Sequence, residues 1–476
     1  MSCEKNSALQ CGASEMKAEQ TAGHTYVQWM VSILAASTLL NYGLQGGWIS
    51  PMTKILQSEA SPAGKPLSDA EISWIASTLS IAAVFGVPLY TYISDAYGRR
   101  PGVIAMAIPQ AMCWAIKLIS SNETVLIIAR ICAGIPAGGC FNLIPMYIKE
   151  ISQDSTRGKM VSLSMIFPNI GLLTMYSLGA YFDYYTVLWI ALSISLVSVV
   201  FMWLAPESPG FLVKRCRLEE AAKTIAMLRG LHQHDKIVQT EIEQMKNEEA
   251  HFDKVERITF LSIFKNKAWC RGFILCTILM ITLDMNGYYT IFTFALKIMT
   301  ESGITANPEL QTLSIPVLMI IGSLFSMICV EKLGRKFLLA GAYIISVLSI
   351  SCLATIMMLQ QTDITVPSWM PVAAIVTTVW AYAAGILPMT YVVMAEVFNF
   401  QVRAKLLGLI VTFGWFVSFV QLAIYGAVSV LDLHTIFYIF ASINVIGAVV
   451  SLLFLPETKG RSVEEIEHLL LGRKIN

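Results

Sequence analysis

Apolar residues gather in twelve long runs, at about 28–48, 73–93, 102–121, 124–148, 159–180, 187–205, 271–296, 312–330, 337–358, 371–394, 406–429 and 435–455. Crossing a hydrocarbon core of about 30 Å takes about 20 residues of helix, and the runs have that length. The pattern predicts an all-α membrane protein with twelve transmembrane helices, six on either side of a polar stretch. That stretch, about 211–267, is more than a third charged. Within it Leu218–Arg229 and Val238–Phe252 interleave Glu and Lys at helical spacing, so cytosolic helices under the bundle are expected. The chain divides into a cytosolic tail (1–27), a first six-helix bundle (28–206), a cytosolic helical insert (207–268), a second bundle (269–455) and a cytosolic C-terminal tail (456–476).

Lys and Arg set the orientation, because they collect on the cytoplasmic side. Arg99–Arg100, Lys149, Arg157, Lys159, the insert, Lys332, Arg335, Lys336, Arg403 and Lys405 fall on one side. Lys54, Lys65 and Lys297 fall on the other. Both termini and the insert are therefore expected in the cytoplasm, with the plasma membrane as the expected location. No short apolar region with a small-residue cleavage site marks the first residues, so they read as a tail rather than a signal peptide. The sequon Asn122-Glu123-Thr124 then lies outside, where glycosylation is possible.

Composition narrows the function. Only 14% of the 476 residues are charged and 55% are hydrophobic, against about 25% charged in soluble domains. A soluble enzyme, a disordered chain and a secreted disulfide scaffold are excluded. A net charge of +1 gives no reason to expect nucleic acid. The ten Cys form no CxxC pair, and none of the six His falls in an apolar run, so no metal site or cofactor is expected. No GxxxxGK[ST] phosphate loop occurs, so ATP-driven pumping has no support. The expected partners are a small solute and the bilayer, with no obligate protein partner in evidence.

The halves repeat each other. Asp95-x-x-Gly98-Arg99-Arg100 follows the second run, and Glu331-x-x-Gly334-Arg335-Lys336 follows the eighth. Glu150 precedes Arg157 by seven residues, as Glu396 precedes Arg403. Pro206-Glu207-Ser208-Pro209 closes the sixth run, and Pro456-Glu457-Thr458-Lys459 closes the twelfth. Three matches in register indicate a duplicated six-helix unit, the architecture of secondary transporters, whose site lies between the repeats.

These motifs carry a family resemblance. Pro206-Glu207-Ser208-Pro209-Gly210-Phe211-Leu212, Pro145-Met146-Tyr147-x-x-Glu150 with Arg157-Gly158, and Pro456-Glu457-Thr458-Lys459-Gly460 resemble the sugar porters of the major facilitator superfamily. Ser73-Trp74-Ile75 and Asn169-Ile170-Gly171 resemble the arthropod facilitated trehalose transporter-like branch. The resemblance implies the major facilitator fold and facilitated transport of a sugar such as trehalose or a hexose by alternating access. Departures bear on substrate and coupling. Gln45 stands where proton-coupled sugar porters carry an Asp in the first helix, which favours uniport. The seventh-helix sugar motif has become Leu283-Asp284-Met285-Asn286-Gly287-Tyr288-Tyr289, in which only the glycine is retained. Alternatives are a proton-coupled sugar or polyol symporter using Asp284, and a non-transporting sugar sensor. The sixteen residues after Gly460 are short for a sensor's signalling tail.

The resemblance implies a substrate site from Gln45, Asn169, Asp284, Tyr288, Tyr289, Tyr391 and Trp415. It also implies a conformational gate from Asp95, Arg99, Arg100, Glu150, Arg157, Glu207, Glu331, Arg335, Glu396, Arg403 and Glu457. The expected gate pairs are Asp95 with Arg99, Glu150 with Arg157, Glu331 with Arg335, and Glu396 with Arg403, latching the halves together. A carboxylate in mid-helix must face a cavity or a partner, and Arg130 in the fourth helix is the candidate ion-pair partner of Asp284. Lys117, near the end of the third helix, is expected to snorkel to the interface.

Overall fold

The computed structural model describes residues 24–254, 265–304, 307–362, 366–427 and 432–471. Among the described residues the chain is helical, with no strand. Twelve helices are long and apolar enough to cross a membrane. They are Tyr26–Leu56, Asp69–Tyr97, Arg99–Ile119, Glu123–Ile151, Ser155–Tyr181, Tyr184–Leu204, Lys267–Thr293, Pro308–Val330, Arg335–Gln361, Trp369–Val397, Val402–Tyr425 and Leu433–Leu453. Below they are the first to twelfth helices.

Local chemistry sets several ends. Ser68 and Glu71 form a reciprocal capping box at the second helix, satisfying two amides that a helix start leaves unpaired. Asp183 caps the sixth through the Thr186 amide. Gly98 and Gly334 make the sharp turns between the second and third and the eighth and ninth helices, at φ +116° and +83°. A Cβ there would lie 2.4 Å from Glu207 Oε2 and 2.6 Å from Glu457 Oε2, respectively. Glycine is required at each turn by the backbone angle and by the acid seated against it.

Packing follows the duplicated plan. The second helix packs on the fourth, where Gly134 and Gly138 approach the carbonyls of Leu79 and Ala83. Small residues let membrane helices come this close. The second helix also packs on the eleventh and so joins the halves. Buried Leu79, Ala83 and Val87 meet Val411 and Trp415 there. Several membrane helices are interrupted, among them the first and the seventh. The first divides at Trp48, between Tyr26–Gly47 and Ile49–Leu56. The seventh divides at 285–287, where Gly287 has φ +94° and Asn286 Oδ1 accepts from the Tyr288 amide at 2.7 Å. The tenth carries a π-helical turn at Tyr382–Ile386, a distortion frequent at functional sites.

The insert forms Pro209–Lys214, Leu218–Arg229 and Lys236–Lys254. The expected Leu218–Arg229 helix is found with those bounds. The second expected helix is found longer than the Val238–Phe252 expectation. Leu212, Ala221, Ile225, Val238 and Ile242 form the insert's own small core, while Leu228 packs into the first bundle's cluster. Buried Arg229 pairs with Glu241 at 2.6 Å and donates to the Ile151 carbonyl at 2.9 Å, docking the insert on the first bundle. The side of the bundle carrying it is called the insert face below, and the opposite side the far face.

Candidate functional site

The third helix places Gln110, Cys113, Trp114 and Lys117 on one face, at i, i+3, i+4 and i+7. That face meets Gln45 and Trp48 of the first helix. Gln45 is buried, and its side-chain hydrogen bonds lie inside the first bundle. Its Nε2 donates to the Gln110 carbonyl at 3.2 Å. Its Oε1 accepts from Cys113 Sγ at 3.1 Å and from Lys117 Nζ at 3.4 Å. Lys117 does not snorkel: it is fully buried. Its ammonium lies 3.7 Å from the Trp48 ring centroid and 4.1 Å from that of Trp114. Indole faces attract a cation electrostatically, and more so when it is desolvated.

Arg130 and Asp284 do not form the expected ion pair. Arg130 NH1 donates to the Gln45 carbonyl at 2.6 Å and its Nε to the Ile75 carbonyl at 3.1 Å. The guanidinium is thus spent on backbone groups of the first and second helices. Asp284 ends the helix segment Lys267–Asp284 and turns to the eleventh helix. Ser418 Oγ donates to its Oδ1 at 3.1 Å. Its Oδ2 is buried without a partner, and a Cβ on Gly414 would lie 2.8 Å from it. The first bundle therefore buries two cations without a carboxylate beside them, and the second buries a carboxylate without a cation beside it.

The aromatic candidates are brought together in part. Tyr288 stacks on Tyr382 at 3.7 Å and on Phe292 at 5.2 Å, and Tyr289 meets Tyr288 edge-on at 5.8 Å. Trp415 meets Tyr42 of the first bundle at 6.3 Å, and Tyr42 meets Phe141 at 4.9 Å. Asn169 Nδ2 donates to Ser323 Oγ across the halves at 3.4 Å. Tyr391 is the exposed member of the set. Tyr42, Phe141 and Tyr382 were missed because isolated aromatics in apolar runs look like packing. The Gln110–Lys117 face was legible as polar residues at helical spacing.

On the insert face the charges close within each half, in matching form. Arg99 grips Glu150 through Nε and NH2 at 3.0–3.1 Å and touches exposed Asp95 at 3.5 Å. Arg335 pairs with Glu396 at 2.9 Å. Each acid ending the fourth or tenth helix thus holds the arginine opening the third or ninth. Arg157 Nε donates to the Lys149 carbonyl and Arg403 Nε to the Phe398 carbonyl. The Glu331 side chain lies outside the described residues. Glu207 accepts from the Arg99, Arg100 and Ser208 amides, as Glu457 does from those of Arg335, Lys336 and Lys459. Ser208 donates to Glu150, and Thr458 to Glu396. Burial holds the Glu207 carboxyl above its usual range against the pull of those amides.

On the far face the contacts run between the halves. Lys54 pairs with Glu309, and Lys297 with Asp69, both at 2.7 Å. The Leu296 amide donates to Ser50 Oγ at 3.1 Å, and Tyr176 donates to the Phe292 carbonyl. Asn122, also on this face, is exposed at the start of the fourth helix.

Comparison with known proteins agrees with this architecture. Residues 31–470 match the family described as Sugar (and other) transporter. The facilitated trehalose transporter Tret1 of Bombyx mori is 24% identical over 93% of this chain and 86% of that protein. The Tret1 of Anopheles gambiae is 24% identical over 86% of this chain, which spans about half (51%) of that longer protein. The inward open xylose transporter XylE from E. coli shares the fold at a TM-score of 0.76, with 20% identity over 93% of this chain and 99% of XylE. Twelve membrane helices, matching charge clusters in both halves and a family match over nearly the whole length lead to one conclusion: the chain belongs to the sugar transporters of the major facilitator superfamily, and is a multi-pass membrane carrier rather than an enzyme.

Proposed function

We propose that the chain is a facilitative uniporter of a sugar such as trehalose or a hexose, working by alternating access between its two halves. The observation that carries the reading is Gln45. It is a non-titrating amide with both polar ends engaged, beside Lys117 and Arg130 rather than a carboxylate. That part of the first bundle offers no acid to load and release a proton. Facilitated trehalose transport in the Tret1 relatives supports the solute class.

The insert face is the cytoplasmic one in this reading, following the Lys and Arg distribution, and the membrane is the plasma membrane. The conformation is inward-facing, since ion pairs tie the halves together on the far face and stay within each half on the insert face. The gate residues then act through their own half. Arg99–Glu150 and Arg335–Glu396 hold each bundle's inner end in shape, and meet the other half when that face closes.

A second reading, proton symport through Asp284, is favoured by its buried, unpartnered Oδ2. XylE, similar in fold, is described as a proton:xylose symporter. Reconstituted vesicles with an imposed proton gradient separate the two. Uniport gives labelled trehalose or glucose equilibrating to equal concentrations with or without an uncoupler. Uphill accumulation that collapses with the uncoupler overturns uniport and assigns the proton to Asp284.

A further inference from the structure

A cavity of about 460 Å³ opens on the far face, apart from the Gln45 and Asp284 regions. Both halves wall it: Asp69 and Ser73 belong to the first, and Phe294, Glu301, Tyr425 and His434 to the second. Its volume is in the range of small-molecule sites, about 300–1,000 Å³. Phe294 and Tyr425 stack at 4.6 Å and 28°, which gives the cavity an aromatic wall.

The polar groups around that wall have unused capacity. Asp69 is taken up by Lys297 and Gln57, each at 2.7 Å. Glu301 reaches Lys297 only at 3.9 Å, beyond hydrogen-bonding distance, and keeps its oxygens as acceptors. His434 Nδ1 is buried without a partner. An aromatic wall beside carboxylate and imidazole groups suits a hydroxylated ring. The ring's C–H face lies on the aromatic wall, and its hydroxyls donate to the acids. Asp69, Glu301 and Asp432 together disfavour an anionic ligand.

We propose that this cavity is a second binding site for a neutral polyhydroxy solute, a mono- or disaccharide, on the far face between the two halves. An occupant contacts both halves and braces the Lys297–Asp69 closure, so solute on the far face slows the return to the far-open state. The proposal rests on the sugar reading above for its solute class, but not on coupling or orientation.

Equilibrium dialysis of the purified full-length protein with labelled trehalose, and separately glucose, tests it alongside uptake in vesicles. The expected result is two equivalents bound per chain. Tyr425→Ala and His434→Ala each reduce this to one and leave uptake in place, while Tyr425→Phe keeps two. His434→Gln substitutes if the alanine variants fold poorly. One equivalent in the unmodified protein, or two that survive both alanine variants, overturns the proposal and leaves the sugar reading standing. A second equivalent for glucosamine but for neither neutral sugar overturns the polyhydroxy class in favour of an organic amine. Neither binding nor uptake of any sugar overturns the transport reading itself.

Discussion

Replacing Lys117 by methionine tests the energetics of the buried ammonium. Taking an ion of this size out of water costs several kcal/mol even after relaxation. Two desolvated indole faces, at 3.7 and 4.1 Å, return about 2 kcal/mol each. The 3.4 Å contact to Gln45 Oε1 is long, so it returns no more than the low end of a charged hydrogen bond, about 1.5 kcal/mol. Gain and cost nearly cancel. Methionine has similar length, no desolvation cost, and sulfur–aromatic contacts of about 0.3–1.5 kcal/mol each. Gln45 Oε1 would keep its Cys113 contact. Lys117→Met should therefore fold with a melting temperature equal to or above the parent's. Lys117→Ala should lose about 2–5 kcal/mol through the cavity it leaves. Lys117→Glu should fail to fold, because it sets a carboxylate against indole faces and an amide oxygen. Thermal unfolding of the purified proteins, followed by tryptophan fluorescence, reads all three. Loss of folding in Lys117→Met with full stability in Lys117→Arg would show that the charge itself is required, and refute this balance.

Other outcomes follow from the same geometry. Asp284→Asn should reach the membrane normally, and adding Arg130→Gln should worsen surface expression rather than rescue it. That second change strips donors from two buried carbonyls, at about 1–3 kcal/mol each. Gly98→Ala and Gly334→Ala should lower expression to a similar degree, since each Cβ collides with a seated glutamate at a positive φ. Asp69→Asn should weaken far-face closure by up to about 1 kcal/mol, the worth of an exposed pair, and raise labelling of a cysteine placed at buried Ser50. Burial raises the Glu301 carboxyl above its usual range, with Lys297 opposing and Asp69 adding to the shift; Asp432 and His434 line the same cavity. Glu301 is already 44% exposed here, so opening the far face relieves only part of that shift, and protonation favours the closed face weakly. That stabilisation is complete below the ordinary carboxylate value and fades as pH rises through the raised one. Acidifying the far side should slow influx, and Glu301→Gln should remove the response.

Twelve apolar runs, the charged insert and the three repeated motifs were enough to read the helices, their number and the duplication from the sequence. These features are local: a run of about 20 apolar residues spans a bilayer wherever it sits. Gly98 and Gly334 stand in those repeated motifs, but their positive φ and the glutamates seated against them came from the structure. Side-chain partners across helices were not legible, because they depend on which helices become neighbours and how each is rotated. Arg130 points at the Gln45 and Ile75 carbonyls rather than at Asp284. Glu150 and Glu396 reach back to Arg99 and Arg335 rather than forward along the chain. Lys117 turns inward because two tryptophans and an amide converge on it, although its place near a helix end allowed an outward path. Linear spacing places a charge on a helix face. Only the assembled bundle supplies what that face meets, and burial makes the difference decisive, because an ion out of water must find a partner or pay the desolvation cost.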